Sequence, residues 1–289
     1  MNLPKKIVIL GHSGFIGKHL EKHLSNSRIL SYKVIGHSLP NLDLTNWNST
    51  EKLESLFDGD TCLILTAAVK RQFGDTLDSF RKNLSIVENI CRLLERKPIK
   101  QVIFFSSAAI YGEESENTNI DEETPVNPTS FYGVAKYTSE RLLRKTCLDH
   151  QIGSLVCLRP PLIYGPGDQG QTYGPSGFCG SAVAGEPITL WGDGTELREF
   201  IFIDDLCQIV EKLVNSDIFT ELNVVSGLSY SFADIISILK QRFPELKVDN
   251  RPRSRTKANN AFNPQRIKSF LPSDFKFTSL EQGISKLIA

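Results

Sequence analysis

A short apolar run that stops abruptly at a glycine-rich turn constrains this chain more than any other feature. KIVIL (6–10) is followed at once by GHSGFIG, with glycines at positions 11, 14 and 17. A run of that length bounded by glycine suits a strand covered on both faces. FIGKHLEKHL then shows helical spacing, so the glycines sit at a strand-to-helix turn. The alternation recurs: YKVIG (32–36) leads into STEKLESLF, and CLILTAA (62–68) into DSFRKNLSIVENICRLLE. QVIFFSS (101–107) precedes a helix starting near Ser130, and SLVCLRP (154–160) is a further buried strand. Strands alternating with helices predict βαβ crossovers and an α/β, doubly wound parallel sheet.

After Arg159 the character changes. RPPLIYGPGDQGQTYGPSGFCG is dense in glycine and proline and reads as a long structured loop. PITLWGDGTELREFIFIDDL, a helix from about Asp205 to Val214, a strand LNVVS and a helix FADIISILKQRF follow. They predict a smaller mixed α/β C-terminal domain. The expected division gives 1–165, with a returning segment near 200–225, to dinucleotide binding, and 166–200 with 226–289 to substrate.

Lysines plus arginines equal aspartates plus glutamates at 33 each, so no summed field draws the chain to nucleic acid or an anionic membrane. One basic cluster, RPRSRTK (251–257), suits a solvated loop or a small phosphate ligand. The six cysteines form no CxxC pair and no ligand spacing with histidine, so reduced thiols, a cytoplasmic setting and no metal site are expected. The first apolar run ends in glycine and reads as a strand, not a signal peptide, and no segment approaches membrane-spanning length.

The turn after the first strand has the chemistry of a phosphate cradle: a tight turn, close backbone approach and a helix N-terminus aimed at an anion. Gly11 and Gly14 supply the approach, Gly17 lets the helix pack, and Ser13, Phe15 and Ile16 complete the expected cofactor loop. The spacing is GxxGxxG where a dinucleotide fingerprint is usually GxGxxG. At the end of the second strand, where an acidic residue would hold the ribose 2′-OH, His37 and Ser38 stand instead. That substitution removes repulsion against a 2′-phosphate, so the reading leans to NADP(H), with NAD as the alternative. Lys18 and His37 could assist, and Asp43 is placed toward the adenine edge.

SSAAIYG (106–112) and YGVAK (132–136) form the second motif. The serines end a strand at the carboxyl edge where open α/β sheets bind ligands. Tyr132 and Lys136 lie one turn apart on one helix face. A phenol with pKa about 10 is a poor base at neutral pH, and an adjacent ammonium favours phenolate. A serine hydroxyl can orient the substrate oxygen and relay its proton.

Together GHSGFIG, FFSSAAIYGE, FYGVAK, LRPPLIYGPG and GDGTELREFIFIDDL resemble the extended short-chain dehydrogenase/reductase family over essentially the whole chain. These are Rossmann-fold, NAD(P)-dependent nucleotide-sugar epimerases, dehydratases and reductases. The resemblance implies Tyr132 as catalytic base, Lys136 as its pKa-lowering and ribose-binding partner, and Ser107 as the substrate-orienting hydroxyl. It places Asn83 near the active site as a substrate-binding residue, Ala67, Ala68 and Val69 against the cofactor, and Pro160 near the nicotinamide. Arg198 resembles the arginine that grips a nucleotide-sugar diphosphate, a task suited to planar bidentate cations. Arg253 resembles the second, with Arg251 or Arg255 as alternatives.

Departures from the family pattern narrow the reaction. Dehydratases carry an Asp-Glu pair where this chain has Ala108 and Ala109, and epimerases commonly carry Phe-Asn where it has Pro161 and Leu162. The implied activity is a 4-keto reductase acting on a nucleoside-diphosphate sugar. The alternatives are a nucleotide-sugar 4-epimerase with tightly held NAD and a non-catalytic dinucleotide-binding regulator. By the same resemblance, segments 75–96 and 130–150 would pair in a homodimer.

Overall fold

The structure is a computed structural model describing residues 4–27, 32–112, 116–168, 174–214, 216–253 and 256–289. The chain begins β1 (Lys6–Leu10), α1 (Phe15–Ser25), β2 (Lys33–His37), α2 (Trp47–Thr50), β3 (Thr61–Leu65), α3 (Leu77–Arg96) and β4 (Gln101–Phe105). It continues through β5 (Asn117–Ile120), α4 (Phe131–Asp149), β6 (Ser154–Arg159), β7 (Leu162–Tyr164), α5 (Gly174–Ala184), β8 (Ile188–Trp191) and β9 (Leu197–Phe202). The last elements are α6 (Ile203–Val214), β10 (Phe219–Asn223), β11 (Ser229–Ser231), α7 (Phe232–Arg242), β12 (Val248–Arg251), β13 (Asn260–Phe262), α8 (Gln265–Phe270) and α9 (Leu280–Leu287).

Two compact units result: Met1–Gly112, Val126–Arg159 and Cys207–Leu222 form the first, and Glu113–Pro125, Pro160–Leu206 and Asn223–Ala289 the second. In the first, six strands are ordered β10-β6-β4-β3-β1-β2. The pairings of β1 with β2 and β3, of β3 with β4 and of β4 with β6 are all parallel. Register aligns Leu10 with His37 and Leu65, so β1, β2 and β3 end level at one edge. The glycine turn, Ser38 and Thr66 therefore leave the sheet side by side. Ile7 to Leu10, Cys62 to Leu65, and Val102 with Ile103 are wholly buried, which explains why these strands are apolar without alternation.

STEKLESLF departs from the expected helix: only Trp47–Thr50 is α-helical and Glu51–Leu56 is a 3₁₀ segment. Asn46 caps that single turn by accepting the Ser49 N–H, and Thr50 Oγ1 bonds back to the Asn46 carbonyl at 3.0 Å. Trp47 is covered by the Arg92 guanidinium at 3.8 Å from the ring centroid. The helices α3 and α4 carry their own start signals. Thr76 and Ser79 form a capping box on α3, and Ser130 caps α4 through the Gly133 N–H.

The inward face of α4 is unusually polar: Lys136, Ser139 and Glu140 are all buried. Glu140 receives Arg159 in a two-point pair, Nε to Oε1 at 3.0 Å and Nη2 to Oε2 at 2.7 Å. Arg159 Nη1 also donates to the Tyr111 hydroxyl at 2.8 Å. The pair fastens α4 to the end of β6, a charged residue tolerated there because its donors are matched.

The second unit holds a three-stranded sheet, β11-β9-β7, and two two-stranded sheets, β12-β8 and β13-β5. Its extent differs from the expected division at both borders. The segment 113–125 joins it because β5 pairs with β13, and 160–165 because β7 pairs with β9. The strand expected at LNVVS is shifted earlier, ending at Asn223. Gly283 lets α9 lie on Tyr164, since a Cβ there would sit 2.0 Å from the phenol oxygen. All six cysteines are buried free thiols. No helix among the described residues is long and apolar enough to cross a membrane.

Removing one partner of a buried ion pair strands the other charge, at a cost of about 3–5 kcal/mol. Arg159→Met is expected to lose about that much stability in urea unfolding. The double variant Arg159→Met with Glu140→Leu should recover a large part of it.

Candidate active site

The glycine turn is held by the three strand ends beneath it. Gly11 N–H donates to the His37 carbonyl at 2.8 Å, and the Thr66 and Ala67 N–H groups both donate to the Leu10 carbonyl at 2.9 Å. Gly11 has φ +94°, and a Cβ there would meet Ala67 N at 2.6 Å. At Gly17 it would meet the Gly11 carbonyl oxygen at 2.2 Å, so α1 starts directly over the turn. Gly14 caps α1 with no side-chain hydrogen bond, and the first turn carries no acidic residue. Ser13 and Gly14 are exposed, and Phe15 and Ile16 half-buried, so the amides of this helix start are open to an anion.

Beside the turn, His12 Nδ1 and His37 Nε2 are buried without a hydrogen-bond partner. The His12 ring lies on Gly36, its Cγ 2.6 Å from where a Cβ would stand. Burial, then His12, lowers the His37 pKa, so the imidazole is neutral at neutral pH. Open helix amides, a turn that excludes any Cβ and two unmatched imidazole nitrogens fit a dinucleotide. Asp43 is engaged locally instead, its Oδ1 accepting the Thr45 N–H at 2.9 Å and hydroxyl at 2.7 Å. Asn83 is committed in part. Its Oδ1 accepts the Val69 N–H at 2.8 Å and its Nδ2 donates to the Val69 carbonyl at 3.1 Å. It clamps the loop carrying Ala67 and Ala68 with one N–H and the oxygen of its amide, the second N–H remaining for a ligand.

Ser107, Tyr132 and Lys136 come together. Ser107 caps the 3₁₀ turn Ala108–Tyr111, its Oγ accepting the Ala109 N–H at 3.1 Å, and its hydroxyl favours the charged form of the Tyr132 phenol. Lys136 is 4 % exposed, donates to the Phe105 carbonyl at 2.5 Å and lies 5.6 Å from the Tyr132 ring centroid. Burial pushes the Tyr132 phenol up to about 12, against a smaller opposing pull from Ser107. Lys136 is not among the influences on the phenol, which are burial and Ser107. Lys136 itself is pulled down to about 8 by burial, with Glu140 opposing. Gly133 permits the close packing, since a Cβ there would meet the Ala109 carbonyl oxygen at 2.8 Å.

In the second unit, Arg198 and Arg253 converge on Glu196: Arg198 Nη2 lies 3.5 Å from Oε1, and Arg253 Nη1 is bonded to Oε2. Arg251 is exposed, its guanidinium 5.8 Å from the Trp191 ring centroid, and Arg255 lies outside the described residues. Pro160, directly after β6, is buried.

The NAD dependent epimerase/dehydratase family matches residues 7–224, from the first strand through β10. The chain belongs to this family. A GDP-6-deoxy-D-talose 4-dehydrogenase of Aggregatibacter actinomycetemcomitans is 26 % identical over 98 % of this chain and 96 % of its own length. A GDP-mannose 3,5-epimerase 1 of Oryza sativa subsp. indica is 27 % identical over 81 % of this chain and 68 % of its own. The fold is shared with the UDP-glucose 4-epimerase of Thermus thermophilus, solved with NAD, at TM-score 0.82 and 21 % identity, over 98 % of each chain.

This epimerase/dehydratase family member is thus an enzyme of an NAD(P)-dependent class. Its fold also reveals positioning residues that sequence reasoning passed over. Asp75 accepts the Tyr132 N–H at 3.0 Å, fixing the start of α4 from the loop before α3. Its place before the Thr76 cap was a readable turn signal. Glu140, one turn beyond Lys136, and Arg159, closing an apolar strand, are charges that such positions admit only when paired.

Lys136 ionises at lower pH folded than unfolded, so its charge costs stability fully below about 8 and the cost fades as pH rises toward 10.5. A displacement of that size corresponds to roughly 3 kcal/mol. Lys136→Met is expected to exceed wild type in urea stability at pH 7, by roughly 1–3 kcal/mol after losing the Phe105 hydrogen bond. The advantage should shrink by pH 10.

Proposed function

We propose that this enzyme is an NADP(H)-dependent 4-keto reductase of a nucleoside-diphosphate sugar. The observation that carries the reading is the placement of Lys136, anchored on a strand end, 5.6 Å from the Tyr132 ring; the phenol, which burial pushes up to about 12, is a proton donor at neutral pH. In the reaction, the Ser107 hydroxyl orients the carbonyl oxygen and Tyr132 gives it a proton. Lys136, anchored on the Phe105 carbonyl, keeps a positive charge near the phenolate left behind. The bound dinucleotide supplies the hydride, and Gly11, Ser13, Gly14, Phe15, Ile16, Gly17, Ala67 and Ala68 are the residues that would hold it, with neutral His37 and Ser38 at the ribose.

Arg198 and Arg253 are assigned to the substrate diphosphate. The relative named a 4-dehydrogenase of a GDP-bound 6-deoxy sugar supports redox chemistry at carbon 4, since dehydrogenation run backwards is keto reduction. Ala108 and Ala109 offer no acid or base for elimination of water. The second reading is a 4-epimerase retaining NAD, supported by the relatives named epimerases. Retention of both Tyr132 and Lys136 argues against a non-catalytic regulator. A homodimer is supported by Leu77, Phe131 and Val134, large apolar side chains left exposed on α3 and α4. Buried free thiols fit a cytoplasmic setting.

With nucleoside-diphosphate 4-keto-6-deoxy sugars, turnover should consume one NADPH per product. Purification with bound NAD and turnover without net NADPH use would instead establish the epimerase. Tyr132→Phe should lower kcat by about 10²–10⁴-fold with KM little changed; full turnover by that variant would remove Tyr132 from the chemistry. Light scattering after gel filtration should return twice the chain mass.

A further inference from the structure

Arg198 and Arg253 are placed by main chain as well as by any carboxylate. Arg198 Nη1 donates to the carbonyls of Leu197 at 2.8 Å and Ala258 at 2.5 Å. Arg253 lies against the backbone of Gly192, whose φ is +72°; a Cβ there would meet Arg253 Nε at 2.7 Å and Nη2 at 3.0 Å. Arg253 Nη2 also reaches the Trp191 carbonyl at 3.5 Å. One nitrogen of each guanidinium turns to Glu196, and each carboxylate oxygen takes a different arginine.

Among the described residues, Glu116 and Asp193 do not play this part. Glu116 gives both oxygens to Asn259, one to its N–H and one to its Nδ2. Asp193 is well exposed, 3.9 Å from Arg253 Nη2 and 4.0 Å from Lys257 Nζ. Glu196 is only 9 % exposed, so its bridge is shielded from water and strong. A carboxylate with one oxygen on each of two arginines occupies the donors that neighbouring phosphoryl oxygens would use.

We infer that Glu196 is a resident anion of the diphosphate site, holding the donors of Arg198 and Arg253 until the substrate diphosphate displaces it. The inference rests on the proposed reading of the two arginines as diphosphate ligands. Because carbonyls and the Gly192 backbone already locate the guanidiniums, Glu196 opposes anion binding more than it prepares for it. The carboxylate sets a threshold: a weak or singly held anion does not repay the lost bridge and the repulsion from a displaced, desolvated charge.

Calorimetric titration of UDP, GDP and dTDP into wild type and Glu196→Gln tests this, with Glu196→Ala as a second variant should the glutamine protein fail to fold. Wild type should bind at least one of the three, and the variant should bind the same nucleotide about tenfold more tightly. Inorganic phosphate should compete measurably with that nucleotide only in the variant. Equal or weaker nucleotide binding by a folded variant overturns the inference while leaving the arginine assignment intact, and makes Glu196 an orienting group. No binding of any of the three by wild type and variant removes the arginine assignment, and the inference with it.

Discussion

A protonated lysine buried between a strand end and a helix is the constraint around which the first unit is built. Lys136 cannot be satisfied by water, so the Phe105 carbonyl accepts a hydrogen bond from it and Glu140 balances it from one turn away. Glu140 is committed in turn to Arg159, and Arg159 to Tyr111. The helix that carries Tyr132 is therefore seated on a polar spine more than on an apolar stripe. An apolar substitute would pack, but would leave the register of α4 on β6 less strictly specified.

Both units use the same backbone device. Backbone approaches a charged or polar group closely at a glycine with positive φ, Gly11 in the first unit and Gly192 in the second. In each case a Cβ would collide with the neighbouring group, Thr66 and Ala67 at Gly11 and the Arg253 guanidinium at Gly192. Side chains are then held in fixed positions: Tyr132 and Lys136 through Asp75 and the Phe105 carbonyl in one unit, the Arg198–Glu196–Arg253 bridge in the other. Preorganisation of this kind spares the cost of ordering long side chains when a ligand arrives.

The parallel sheet was legible because its strands are buried on both faces, and burial writes itself into KIVIL, CLIL and QVIFF without reference to distant residues. The glycine turn and the YGVAK helix were legible for a similar reason, since each is a local geometric requirement. What the sequence concealed was pairing at long range. Asn83 also clamps the Val69 loop through one N–H and the oxygen of its amide, a pairing that its own motif does not announce. The burial that pushes the Tyr132 phenol up is likewise set by the elements packed around it, not by its own motif. The strand Asn117–Ile120 joins the second unit because of a partner more than a hundred residues away, Asn260–Phe262.

Two adjacent residues between β3 and α3 start two different helices. Asp75 takes the Tyr132 N–H at the head of α4, and Thr76 takes the Ser79 N–H at the head of α3. The heights of both helices above the sheet are thus set from a single point on the chain. Asn83 reaches back from α3 to Val69 and closes the same stretch into a loop of fixed span. Residues 70–73 inside it can change in kind more readily than in number, while φ +125° at position 74 holds that place for glycine. Evolution of this segment would be expected to tolerate substitutions and to resist insertions, because one added residue would lift the phenol out of reach of the serine strand.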